Sequence, residues 1–396
     1  MTTSSAEQEG RPGRTELGRS LLENGFMTSD WAPAFAAVPR TAFLPDVMWP
    51  HDAATGRAVT VDKTVDSSAW YGYADSNVPV VTQWDDGKHT GTEPGKAFTS
   101  SSSMPSVVFS MLADLDVQAG HKVLEIGTGT GWNAGLLAHR VGAGNVVSVE
   151  VDPAVSEAAR TALRRVGYGD VKVITGDGLL GYPPDAPYDR VIATCGLRSG
   201  LFAWVRQTTP GGVIVAPWGT HYAYTEATAR LVVAGDGNSA SGHFTQPVTF
   251  MRMRSQRLIR PEHSSYVPAQ GTGNADRSTT AITEPEFLTG SLDVEAFAIG
   301  LRVPDCTHVP DRKQAGKRPV WFYSLTDTSW AVVVFRDGHD TATVYQSGDR
   351  RLWDEVEAAF RWWQGQGRPG FHRFGLTVTA ERQVPWLDQP SNALGG

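Results

Sequence analysis

Glu125, Gly127, Gly129 and Gly131 fall in one short stretch, HKVLEIGTGTGWNAGLLAHRVGAGNVVSVEVDP (residues 121–153), and a second carboxylate, Glu150, ends its last apolar run. Glycines in a strand-to-helix turn let the backbone approach a ligand closely, because no Cβ stands in the way. A carboxylate closing the next strand can accept hydrogen bonds from two ribose hydroxyls. Together they describe a nucleoside-cofactor site. Spacing then separates the cofactor classes. A dinucleotide fold asks for G-x-G-x-x-G, with glycines that seat a pyrophosphate on a helix N-terminus. Here the pattern is E-x-G-x-G-x-G. Glu125, immediately before the turn, would repel a pyrophosphate and suits a cation such as the sulfonium and ammonium groups of S-adenosylmethionine. Asp177, between Gly176 and Gly178, could accept a bond from an adenine amine, or could belong to an ordinary Asp-Gly turn.

A second candidate set is Ser100 to Ser103, ahead of Met104-Pro105-Ser106 and an apolar helix expected over Val107–Leu115. One hydroxyl could cap that helix, but four in a row exceed what capping needs. A helix start also offers free N–H groups and a positive dipole end, which can hold a carboxylate.

Alternating elements must position these groups. Val123–Ile126 reads as a buried parallel strand, and Ala134, Leu136, Leu137 and Ala138 as the core side of the next helix. Asn145–Val149 is a second strand, Pro153–Val166 an amphipathic helix and Val171–Ile174 a third strand. Asp189–Thr194 and Val213–Pro217 follow as strands four and five, with two more at Arg230–Val233 and Val248–Arg252. Strands alternating with helices give a right-handed α/β sheet. Upstream, a polar tail to residue 14 precedes a helix from Leu17 to Gly25, and Val38–Asp46 reads as a plain connector. The polar segment 82–96 resembles an insertion or lid.

The chain has 396 residues, 40% hydrophobic and 19% charged, which is ordinary for a soluble globular protein and enough for two domains. A formal charge of −7 argues against a nucleic-acid partner. Two separated cysteines, Cys195 and Cys306, give neither a disulfide framework nor a metal site, and no metal spacing occurs elsewhere. No apolar run reaches membrane-span length, and no signal-peptide pattern is visible, so no membrane partner and a cytoplasmic location are expected.

Residues 261–286, rich in Pro, Gly, Ser and Thr, mark a linker. Beyond it, strands are expected at Val320–Leu325, Ser329–Phe335, Thr341–Tyr345 and Phe374–Thr379. A helix over Leu352–Trp363 carries Leu352, Val356, Ala359, Phe360 and Trp363 on one face. Trp321, Trp330, Trp353, Trp362 and Trp363 read as core or as a peptide-docking surface.

VLEIGTGTGWNAGLLA resembles motif I of the class I methyltransferases. VPRTAFLPD, YADSNVPV, Ser103-Met104-Pro105, GDGLLGYPPDAPYDRVIAT and PGGVIVAPWG resemble successive segments of the protein-L-isoaspartate O-methyltransferases, over about Leu17 to Arg254. The resemblance implies an α/β, Rossmann-like, S-adenosylmethionine-dependent methyltransferase core (residues 15–256), a linker (257–286) and a C-terminal α+β substrate-recognition domain (287–396). It implies cofactor contacts from Glu125, Gly127, Thr128, Gly129, Gly131, Asn133, Glu150, Val151, Asp177 and Gly178. Ser103, with Ser102 and Ser101, is expected to hold the substrate carboxylate.

The serines before Ser103, the extra residues Thr82–Lys96 and about 140 further residues depart from the repair enzymes. They resemble the branch associated with ribosomally made, post-translationally modified peptides such as graspetides, lanthipeptides and lasso peptides. The partner implied there is a cyclised precursor peptide whose aspartate is methylated, the ester then closing to an aspartimide. Isoaspartyl repair and a non-catalytic cofactor- and peptide-binding module are the other readings, and no oligomeric state is implied.

Overall fold

The computed structural model describes residues 11–394 apart from 53, 260, 261, 270 and 291. Three sheets organise the chain. The first holds β1 (Val47–Asp52), β2 (Arg57–Ala58), β3 (Val61–Asp62), β4 (Val80–Trp84) and β5 (Phe98–Ser102). The central sheet takes β6 (Val123–Ile126), β7 (Val146–Glu150), β8 (Lys172–Thr175), β9 (Tyr188–Ala193), β10 (Thr208–Trp218), β11 (Glu226–Val233) and β12 (Ala240–Val248). An antiparallel third sheet comprises β13 (Asp276–Thr280), β14 (Cys306–Pro310), β15 (Lys317–Ser324), β16 (Trp330–Arg336) and β17 (Ala342–Ser347). Finally β18 (Phe374–Val378) and β19 (Gln383–Leu387) rejoin the central sheet, whose order is β8-β7-β6-β9-β10-β11-β12-β18-β19.

Every residue of β6 and β7 is buried, as strands covered on both faces must be. The pairs from β8 through β7, β6 and β9 to β10 are parallel. The chain leaves β6 towards β7 and only later returns to β9 on its other side. That divergence opens a crevice at the carboxyl end of β6, where open α/β sheets bind ligands.

Helix α1 (Pro12–Glu23) and helix α2 (Pro105–Leu115) both start earlier than expected, each on a proline. Proline suits a first helical position, having no N–H to leave unpaired and a fixed φ. The expected polar tail lies, for residues 1–10, outside the described residues. Helix α3 (Trp132–Val141) connects β6 to β7. Helix α4 (Pro153–Arg165) connects β7 to β8 and is capped by Asp152, whose Oδ1 accepts the N–H groups of Ala154 at 2.9 Å and Val155 at 3.2 Å.

The C-terminal part shares the core of the sheet. One apolar cluster runs from Leu124 and Trp204 through Phe297 to Phe360. Helix α5 (Val294–Arg302), not visible in the sequence pattern, and helix α6 (Leu352–Gly365) meet there. Helix α6 buries the five expected residues and Trp353 as well. The expected last strand is followed by another, β19, and β18 pairs antiparallel with β12. An unpaired β12 would be an open edge, and this pairing covers it. Residues 257–286 contain the short helix His263–Tyr266 and β13, which pairs with β17. Trp330, Trp353 and Trp363 are buried, so these three are core. Among the described residues no helix is long and apolar enough to cross a membrane.

Candidate active site

A cavity of about 230 Å³ lies at the carboxyl ends of β6, β7 and β9. Gly127 to Thr130 form its floor, Glu150 and Val151 one wall, and Thr99 to Ser103 another. Gly127 (φ +94°) and Gly129 (φ +54°) hold backbone conformations that other residues rarely adopt. The Gly129 N–H donates to Glu150 Oε2 at 2.9 Å, and the Asp152 N–H to Glu150 Oε1 at 3.1 Å. Two backbone donors thus fix the carboxylate at the cavity wall. A Cβ on Gly129 would lie 3.3 Å from the Ser101 carbonyl oxygen, so a side chain there would fill the gap between turn and serine strand. Asp177 also lines the cavity, and its Oδ1 accepts the Leu179 N–H at 3.0 Å. A Cβ on the neighbouring Gly178 would be 2.5 Å from Ile126 Cγ2.

Two expected contacts lie elsewhere. Glu125 is fully buried behind the turn and is absent from the cavity wall. Successive strand residues face opposite ways. Its carboxylate therefore receives Asn133 Nδ2 at 2.7 Å and the Ser148 hydroxyl instead. Burial above all pushes its pKa up to about 7, against the lowering effect of those hydrogen bonds. Gly131 does not line the cavity either. At φ +90° it starts α3, and a Cβ would sit 3.2 Å from Ala159 Cβ, so it serves the packing of α3 on α4. Thr128 lines the cavity but turns its hydroxyl to Ser148 Oγ at 2.6 Å. Asn133 lines it too, and its buried Oδ1 has no partner among the described residues. A free acceptor, a fixed carboxylate and a turn with glycine at 127 and 129 fit a cationic nucleoside cofactor.

Ser100 to Ser102 lie on β5 and Ser103 directly follows it, and none caps the next helix: Ser102 pairs with Val80 and Ser101 with Val81 of β4. The N–H of Ser106, at the helix start, is already bonded to Asn77 Oδ1 at 2.9 Å, so this donor is not open to a substrate. Ser102 is 2% exposed and accepts from Arg40 Nε at 2.9 Å. Among the described residues the hydroxyls of Ser101 and Ser103 have no partner.

Arg40 sits in the segment read as a plain connector. Its Nη2 donates to the carbonyls of Ser102 (2.9 Å), Ser103 (3.0 Å) and Val78 (3.0 Å), and its Nη1 to Ser76 (3.3 Å). Burial pulls its pKa down to about 9, while the charge of Asp75 opposes that fall. The mouth carries a further set that the sequence did not reveal. Arg254 donates to Asp152 Oδ2 at 2.8 Å and to Gln83 Oε1 at 3.2 Å, and pairs with Asp86 at 3.1 Å. Arg257 meets both oxygens of Asp86 at 2.9 and 3.0 Å. Segment 82–96 is thereby tied to the strand-end residues below it. Cys195 lines the cavity, but burial pushes its thiol well up, so it is a neutral group rather than a nucleophile.

A family model described as protein-L-isoaspartate(D-aspartate) O-methyltransferase matches residues 13–257. The chain belongs to this family. A protein-L-isoaspartate O-methyltransferase of Ignicoccus hospitalis is 32% identical over 206 residues, spanning 52% of this chain and 81% of its own. That of Methanopyrus kandleri is 34% identical over 215 residues, 54% of this chain and 79% of its own. A solved protein-L-isoaspartate O-methyltransferase aligns with 95% of this chain and all of its own, at a TM-score of 0.54 and 20% identity. That likeness concerns fold alone.

Proposed function

We propose that this methyltransferase esterifies the side-chain carboxylate of an aspartate in a structured precursor peptide, and that the ester then closes to an aspartimide. The observation that carries this reading is the arrangement around the cavity mouth. The Gln83–Asp86 segment is clamped by Arg254 and Arg257, and Ser255 and Arg257 also line a second, open cleft that reaches Tyr266 and Leu325 of the C-terminal part. An enzyme that repairs isoaspartate in any unfolded sequence gains little from such surroundings. One that reads a defined peptide gains contacts beyond the reacting residue. Isoaspartyl repair remains the second reading, favoured by the relatives' names and by the solved relative that shares the extended fold.

S-adenosylmethionine supplies an electrophilic methyl group in this chemistry. Glu150 would receive the ribose hydroxyls, Asp177 an adenine amine through the oxygen not used by Leu179, and Val151 would contact the base. Gly127 and Gly129 let the backbone pass beside the amino-acid part, with Asn133 Oδ1 as acceptor for its ammonium. An aspartate side chain ordinarily titrates near ~3.9 and is already ionised at neutral pH, so no general base is required. Ser101 and Ser103 hold one carboxylate oxygen by hydroxyl donation and leave the other aimed at the methyl. Arg40 keeps the end of β5 and Ser103 in place through the Ser102 and Ser103 carbonyls. Catalysis is then positioning with water excluded by the clamped segment. The ester is a better acyl electrophile than the acid, and the following amide nitrogen displaces methanol from it without a further catalytic group.

The test is purified protein and S-adenosylmethionine with two peptides, one linear and isoaspartyl, the other a ring-containing precursor with ordinary aspartate. Methyl gain followed by methanol loss on the precursor alone supports the proposal. Turnover of the isoaspartyl peptide alone replaces it with repair.

A further inference from the structure

Beyond the methyl-transfer cavity, the described structure holds a polar cluster that the chemistry above does not use. It lies in the open cleft of about 710 Å³ bounded by Arg198, His221, Gln256, Glu262, Tyr266 and Leu325. Arg198 follows β9, and its side chain is 7% exposed. Its Nη1 is spent on Glu226 Oε1 at 2.6 Å and the Leu197 carbonyl at 3.0 Å. Its Nε and Nη2, which form the side-on edge with two parallel N–H bonds, have no partner among the described residues. His221 Nδ1, on the same cleft, is buried and without a partner among them as well.

Leaving buried donors unmet is costly, and native structures rarely do so without a reason. Charge balance points the same way. Glu226 is a single buried carboxylate held by the positive charges of Arg198 and Arg252, with Arg198 the stronger. Burial first, and then the same two cations, keep His221 below its usual pKa, while Asp305 opposes them. The only acidic side chain on the cleft wall among the described residues is the exposed Glu262. The cleft therefore holds guanidinium N–H donors that its own ion pair with Glu226 does not use. Two parallel N–H groups on a guanidinium match the two oxygens of a carboxylate.

Ser255 and Arg257 line both this cleft and the methyl-transfer cavity, so the two adjoin. We propose that Arg198, with His221, forms a carboxylate subsite that receives a second acidic residue of the peptide substrate, separate from the aspartate that is methylated. This rests on the peptide reading above and narrows the substrate to an acidic peptide.

The experiment uses the full chain saturated with S-adenosylhomocysteine and follows fluorescence polarisation of labelled hexaglutamate and hexaglutamine, with free succinate as competitor. Hexaglutamate is expected to bind about tenfold more tightly than hexaglutamine, and Arg198→Lys to remove that preference, since an ammonium lacks the two-donor edge. Succinate at equal carboxylate concentration is expected to displace it poorly. Arg198→Lys keeps a cation beside Glu226. Should it fail to fold by circular dichroism, the double variant Arg198→Met, Glu226→Gln removes both charges together, with the same loss expected. Equal binding of the two peptides, an unchanged preference in the folded variant, or displacement by succinate as strong as by unlabelled hexaglutamate overturns the subsite. Methyl transfer to the two test peptides is measured separately on the unaltered protein, so its absence would refute the underlying function rather than this subsite.

Discussion

Arg40→Lys tests whether the serine strand is held from below. Arg40 is buried and makes five donor contacts, to Ser102 Oγ and to the carbonyls of Ser102, Ser103, Val78 and Ser76, at 2.9 to 3.3 Å. A lysine brings three donors from a single point and leaves at least two of those acceptors unmet. At roughly 1–1.5 kcal/mol for each lost hydrogen bond, the variant should be less stable by about 2–3 kcal/mol. Urea unfolding followed by circular dichroism measures this, with an unchanged m-value if only stability moves. Ser101 on β5 and Ser103 just beyond its end should also lose their register against the cavity, raising KM for the peptide about tenfold, equivalent to ~1.4 kcal/mol. Affinity for S-adenosylhomocysteine should stay within about twofold, because Glu150 and the glycine turn are anchored by their own backbone bonds. A stability change below about 0.5 kcal/mol with an unaltered peptide KM would refute the positioning role, as would an equal loss of cofactor affinity.

Other substitutions separate the parts of the site. Glu150→Gln should weaken S-adenosylhomocysteine binding about tenfold or more by calorimetry, as expected for a lost charge-assisted hydrogen bond, and should cost about 1–1.5 kcal/mol of stability, because one of the two backbone N–H groups loses its acceptor. Gly131→Ala should lower the thermal midpoint through its φ of +90° and the contact at Ala159, with little direct effect on cofactor affinity in the protein that remains folded. Glu125 provides the pH test. Its folded pKa of about 7 lies above its unfolded value, so its stabilising contribution is complete below the unfolded pKa and is lost as pH rises through about 7. Glu125→Gln should flatten that part of the stability–pH curve and be more stable at pH ~8 by about 3 kcal/mol at most. An identical slope in the two proteins would contradict the buried, protonated carboxyl.

The parts of this fold that were legible in sequence are those whose signal is local. The run Val123–Ile126, the glycine turn and the closing Glu150 lie within thirty residues of each other, and strand and helix periods mark them directly. The site residues that escaped depend on distant partners. Arg40 reaches Ser102 across 62 positions, and Arg257 reaches Asp86 across 171, and neither carries a pattern of its own. Glu125 was visible as a residue but not in its direction, which only its pairing beside Ser148 fixes. The serines were visible as a cluster, yet the backbone of Ser100 to Ser102 belongs to β5 because β4 is there to pair with it. Likewise β18 reads as a strand anywhere, and only the open edge of β12 decides which sheet receives it.

The most direct measurement is the fate of a labelled methyl group. With S-adenosylmethionine labelled in its methyl and the ring-containing precursor, label is expected to enter the peptide and then to leave as volatile methanol, with an aspartimide remaining. Label that stays on the peptide through mild base, as an N-methyl or ether would, or that never reaches it, contradicts transfer to a carboxylate.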